Sequence, residues 1–139
     1  MPSATYIQRR RQLTTYFDHT ATAAWRALTS NDPVSRVRAT VRAGRDEMRD
    51  TLLSWLPEDL SGHTVLDAGC GTGALALRAA RQGARVVAVD MAGSLIDVAK
   101  RRTQRECPDA DIDYRTGDML SNAIEAVDHV VAMDSLIHY

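Results

Sequence analysis

Val65-Leu66-Asp67-Ala68-Gly69-Cys70-Gly71-Thr72-Gly73 is the strongest structural signal in the chain. A short apolar run ends in glycines, and an alanine- and leucine-rich segment, Ala74 to Gln82, follows at once. The order this predicts is strand, tight turn, helix. Glycines suit such a turn because a Cβ would block close approach to the backbone and forbid positive φ. The turn then presents backbone N–H groups and the positive end of a helix to whatever lies above it. Downstream, Gly83 is placed to cap the helix. Arg85 to Val89 is a β-branched strand closing at Asp90. Ser94 with Asp97 reads as a capping box opening a second helix through about Glu106, and Cys107-Pro108 stops it. Ile112 to Arg115 is a weaker third strand and His129 to Met133 a fourth. Strand and helix alternate at a spacing that argues for βαβ units, a parallel sheet with helices on both faces.

Residues 1–60 read differently and divide from 61–139 as a helical N-terminal part. Val34, Val37, Val41, Met48, Leu52 and Leu56 recur at helical steps and predict one apolar stripe. Arg38, Arg42, Arg45 and Arg49 repeat on a neighbouring face. Pro33 suits the first turn of that helix and Pro57 ends it. Tyr6 to Leu28, with Ile7, Leu13, Tyr16, Phe17, Trp25 and Leu28, predicts one or two further helices.

Composition narrows the function. The chain has 139 residues, 25% of them charged, with a net charge of −1 at neutral pH. That suits one ordinary domain and excludes a protein that holds nucleic acid mainly by bulk electrostatics. Apolar runs such as Ala74 to Leu77 fall far short of the roughly 20 residues that span a bilayer, and no signal-peptide core follows Met1. Cys70 and Cys107, with His19, His63 and His129, lack ligand-type spacing, so no metal site is expected. Cytoplasmic placement is the expectation. The run Val130 to Met133 stands just before the last residue, Tyr139, and would leave an apolar edge that native sheets cover. The chain is therefore read as the front part of a longer protein, with a catalytically inactive fragment as a third reading beside the functions weighed below.

Three acids accompany the glycine turn. Asp90, closing the second strand, would sit beside the turn and accept from both hydroxyls of a ribose. Gly117-Asp118 closes the third strand, where a carboxylate can accept from an exocyclic amine on a base. Gly69-Cys70-Gly71-Thr72-Gly73-Ala74 also satisfies the dinucleotide fingerprint, so a nicotinamide-dependent oxidoreductase stays open at this point. Asp67 favours a nucleoside with a cationic amino-acid end, because a negative charge there is poorly matched to a pyrophosphate.

Asp67 to Gly73 followed by Asp90 resembles the first two motifs of the class I S-adenosylmethionine-dependent methyltransferases. The flanks are similar to the magnesium-protoporphyrin IX O-methyltransferases of bacteriochlorophyll synthesis. That likeness lies in Tyr16-Phe17-Asp18-His19-Thr20, Trp25, Arg42-Ala43-Gly44, Leu53-Ser54-Trp55-Leu56 and Met133-Asp134-Ser135-Leu136-Ile137-His138-Tyr139. The resemblance implies a Rossmann-like α/β sheet with strand order 3-2-1-4 in this chain, under an α-helical N-terminal cap. It implies that Asp67, Ala68, Gly69, Cys70, Gly71 and Gly73 surround the methionine part of the cofactor. Asp90 would hold the ribose, with Met91 against the base, Asp118 and Met119 bordering the adenine, and Met133 nearby. Cys70 itself reads as a small space-filler.

The reaction implied is attack by a porphyrin propionate on the sulfonium methyl, leaving a monomethyl ester and S-adenosylhomocysteine. A carboxylate with a pKa of about 4 is already ionised at neutral pH, so positioning and water exclusion are the main tasks. His138, following the fourth strand, is the candidate catalytic residue beside the propionate. Arg42 either reaches the cofactor's carboxylate as a bidentate fork or belongs to a solvated arginine face. Tyr16, Trp25 and Tyr139 are the candidate porphyrin contacts. Magnesium arrives inside the substrate, and contact with magnesium chelatase and with a membrane surface is a family expectation. A methyltransferase for another small acceptor, such as a quinone precursor, is the close alternative.

Overall fold

A computed structural model describes residues 3–15, 36–121 and 124–133. Its elements in chain order are α1 (Ala4–Thr15), α2 (Arg36–Ser54), β1 (Thr64–Ala68), α3 (Ala74–Arg81), β2 (Arg85–Asp90), α4 (Gly93–Glu106), β3 (Ile112–Thr116) and β4 (His129–Val131). The strands form one parallel sheet in the order β3-β2-β1-β4, as expected. Asp67 pairs with Ala88 across β1 and β2, and Asp90 pairs with Thr116 across β2 and β3. The three predicted acid positions therefore share the C-terminal end of the sheet, where a ligand crevice forms in open α/β folds.

Both crossover helices sit on the same face. Leu75, Ala76 and Ala79 of α3 and Ile96 of α4 share a core with Val65, Val86, Ala88 and Val131. Leu53 of α2 joins them. The other face, Leu66, Ala68, Val87 and Val89, meets Met119, Ile124, Val127 and Ala132. Among the described residues this corrects the expectation of helices on both faces. The reason is handedness: right-handed crossovers that step steadily from β1 to β3 lay each helix on one side.

Element ends follow local chemistry with one exception. Gly83, at φ 100°, closes α3. Its N–H donates to Ala80 O and that of Ala84 to Ala79 O, the paired bonds of a Schellman turn. The exception is α4, which begins at Gly93 with Ala92, not Ser94, as its N-cap and no side-chain bond at that cap; Asp90 Oδ1 accepts the Ala92 N–H at 2.9 Å. Helix α2 is turned from its predicted orientation. Val37, Val41 and Met48 are exposed, whereas Arg42, Arg45 and Arg49 lie half-buried. Its C-terminal Leu52 and Leu53, with Leu56 just beyond its end, pack into the core. Long arginine stems can line apolar surface while their heads reach polar groups, and that option is invisible to a hydrophobic-stripe argument. At the opposite end of the sheet from the acids, His63 Nδ1 and His129 Nε2 stand 3.0 Å apart with stacked rings, a structural tie between the starts of β1 and β4.

Candidate functional site

The glycine turn is held from beneath by β2. Val89 O accepts the N–H of Gly69 at 2.8 Å and of Cys70 at 3.0 Å, and Gly73 N–H closes on Cys70 O at 3.0 Å. Gly69, Gly71 and Gly73 have φ of 79°, 55° and 85°, a left-handed succession that side chains with a Cβ rarely adopt. At Gly73 space is limiting as well, since a Cβ would lie 2.6 Å from Tyr114 Oη and 3.1 Å from Ala99 Cβ.

Asp90 faces the turn. Its Oδ2 accepts the Gly71 N–H at 2.9 Å while Oδ1 accepts from Ala92, so the carboxylate is fixed at the rim of the sheet in one orientation. Two residues behind the first glycine, Asp67 is only 2% exposed. Burial pushes its carboxyl up to about 7, the nearby Asp90 charge adds to the rise, and the Ala76 N–H and Arg49 oppose it. Its Oδ2 is buried with no hydrogen-bond partner. An orphaned buried carboxyl oxygen is costly unless a donor arrives, and a cationic ammonium is the donor that satisfies both its hydrogen bonding and its charge.

Cys70 turns its thiol into the core, where burial raises its pKa well above the ordinary value. It serves the turn through its backbone and is no nucleophile. Ala68 is buried on the second sheet face. Met91, Met119 and Met133 are half-buried after β2, β3 and β4.

Asp118 stands on the far side of the same rim and is taken by the N-terminal helix. Tyr6 Oη donates to Asp118 Oδ2, Arg10 Nη1 approaches the same oxygen at 3.5 Å, and Leu120 N–H donates to Oδ1 at 2.8 Å. Burial works against the charge, but these donors outweigh it and hold the carboxyl below its usual range. Sequence reasoning missed Tyr6 and Arg10. They lie one helical turn apart, a spacing that signals a shared face but names no partner more than a hundred residues away. Arg49 was passed over in favour of Arg42; both are half-buried on α2, and Arg49 is the one whose charge reaches Asp67. Tyr16, Trp25, His138 and Tyr139 lie outside the described residues.

Comparison with known proteins agrees with this fold. The family model described as "Methyltransferase domain" matches residues 65–139. The chain is 52% identical over its whole length to a magnesium-protoporphyrin O-methyltransferase of Rhodobacter capsulatus, covering 62% of that protein. It is 34% identical to the chloroplastic magnesium protoporphyrin IX methyltransferase of Arabidopsis thaliana, over 89% of this chain and 41% of that one. The crystal structure of magnesium protoporphyrin IX methyltransferase from Synechocystis with bound S-adenosylmethionine superimposes with a TM-score of 0.86 at 30% identity. That match covers 94% of this chain and 64% of the Synechocystis chain. The chain thus spans about two fifths to two thirds of the length of these relatives.

Proposed function

The chain belongs to the methyltransferase-domain family, and from that premise we propose that it binds S-adenosylmethionine and serves methyl transfer to a propionate of magnesium-protoporphyrin IX. The observation that carries the cofactor half is the pair of acids at the turn. Asp90 is locked to Gly71 N–H at the rim, and Asp67 holds a buried, unpartnered oxygen beside it. An adenosyl group with a cationic amino-acid end matches both, whereas a dinucleotide would bring a pyrophosphate against Asp67. The substrate half is supported by the likeness to the R. capsulatus enzyme along the whole chain.

The bound cofactor supplies an electrophilic methyl on a sulfonium. Attack by a propionate oxygen forms the ester C–O bond and breaks the C–S bond, leaving a neutral thioether. Within this chain, Asp90 orients the ribose, Asp67 takes the ammonium, and the turn's N–H groups leave room for the backbone to approach the ligand. Asp118 accepts from the base amine, with Met91, Met119 and Met133 against the adenine. Arg42 is assigned to the cofactor's carboxylate, His138 to the propionate, and Tyr16, Trp25 and Tyr139 to the macrocycle. Because the attacking carboxylate is already ionised, the task is orientation, for which well-aligned reactions gain roughly 7–11 kcal/mol. The proposal includes hand-over of the apolar macrocycle by contact with magnesium chelatase and with a membrane surface, on the cytoplasmic side. No described helix is long and apolar enough to cross a membrane.

Calorimetry with S-adenosylhomocysteine and NAD, together with mass detection of the monomethyl ester from magnesium-protoporphyrin IX, tests the reading. Binding of the thioether without NAD, and ester formation that falls on His138→Ala with cofactor affinity unchanged, are the expected results. NAD binding alone would overturn the cofactor assignment, and thioether binding without ester formation would overturn the substrate.

A further inference from the structure

Tyr6 belongs to α1, far from the glycine turn in sequence, yet its hydroxyl ends on Asp118, the acid that follows β3. We propose that Tyr6 is a specificity-determining residue, which by donating to Asp118 Oδ2 sets that carboxylate as an obligate acceptor for the 6-amino group of the cofactor's purine. The inference rests on the reading of Asp118 as the base-facing acid.

The argument begins with the state of the acid. The Asp118 side chain is 6% exposed, and a buried carboxyl tends to keep its proton. Protonated, it could donate to a 6-oxo purine as readily as it accepts from a 6-amino one, and the two bases would be poorly distinguished. Ionised, it can only accept, and it repels a 6-oxo group. What holds it ionised is therefore what sets the choice of base. Leu120 N–H occupies one direction on Oδ1, and Tyr6 with Arg10 occupies Oδ2. A carboxylate offers about four acceptor directions, so Oδ1 retains capacity for a further donor.

Tyr6 and Arg10 are not equal partners. Arg10 stands 3.5 Å away with its side chain 40% exposed, so solvent screens most of its attraction. The phenol is the closer donor, and its bond to an anion is charge-assisted. Burial and the bond to Asp118 push the Tyr6 phenol up to about 12, so it keeps its proton at neutral pH and remains the donor. The pair thus divides the roles cleanly: one group always donates and the other always accepts.

The test compares S-adenosylhomocysteine with its 6-oxo analogue, S-inosylhomocysteine, by calorimetry on the intact protein. Tyr6→Phe is expected to reduce the preference for the amino purine about tenfold, chiefly by weakening the adenosyl ligand. Arg10→Gln should move the ratio less than about twofold. Because Tyr6→Phe also removes a contact that docks α1, 3-fluorotyrosine at residue 6 is the companion. It keeps the shape, makes the hydroxyl a stronger donor and should widen the preference. Asp118→Asn, whose amide can donate or accept, should abolish it. An unchanged ratio in Asp118→Asn overturns the reading of Asp118 and the proposal with it. A ratio that collapses in Asp118→Asn but stays at wild type in both Tyr6 variants overturns the proposal alone.

Discussion

Asp67 and Asp90 lie near the C-terminal ends of neighbouring strands, in opposite surroundings. Asp90 is bound by two backbone N–H groups at the rim. Asp67 is enclosed, and burial first, then the Asp90 charge, lifts its carboxyl to about 7. An ammonium beside it favours the ionised form, so ligand binding near neutral pH must expel a proton from the acid fraction. Affinity for S-adenosylhomocysteine is therefore expected to weaken as pH falls below about 7, by up to about tenfold per unit. Calorimetry across that range checks this, and Asp67→Asn should flatten the profile. The sign for folding is the reverse. With its pKa raised above the unfolded value, Asp67 binds more protons in the folded chain. Without ligand its contribution to stability therefore declines as pH rises from about 4 to 7. The motif singled out this acid; its burial came from strand pairing, which no local pattern reports.

At the scale of elements, the junction of β1 and α3 is tight because α4 and β3 close over it. Gly73→Ala places a methyl 2.6 Å from Tyr114 Oη, and the overpacking should cost about 1–3 kcal/mol in addition to left-handed strain. Tyr114→Phe in the same chain should recover part of the loss. Denaturant melts of the single and double variants would show this as a non-additive pair. Helix α2 teaches a different lesson. Its helical character was legible from spacing, but the burial of its faces was not. Since Val37 is 75% exposed and Leu53 only 4%, Val37→Ser should change stability by less than about 0.5 kcal/mol and Leu53→Ala by about 2–5 kcal/mol. Equal losses at the two positions would mean that the valine face is covered. The stripe misled because apolar periodicity gives a helix its faces but not its neighbours. Here Asp67 draws on the charge of Arg49, and Asp50 pairs with Arg78 on α3, so polar contacts help orient the helix.

Across the whole molecule, the acids of three strand ends and one residue of the N-terminal helix form a single rim. A ligand that uses this rim should stabilise the folded chain. At a hundredfold excess over its dissociation constant, S-adenosylhomocysteine is expected to add about 2.7 kcal/mol and raise the melting temperature, with NAD having no effect. By themselves, the residues in order determined the parallel βαβ frame, the glycine turn and the carboxylates at the strand ends, since each is written in adjacent positions: alternation, glycine spacing, a capping glycine. Only the tertiary structure decided that both crossover helices share a face, that Arg42, Arg45 and Arg49 of α2 are half-buried, and that Tyr6 holds Asp118. Those outcomes depend on which surfaces meet after long stretches of chain have closed. Short-range pattern carries no record of that meeting.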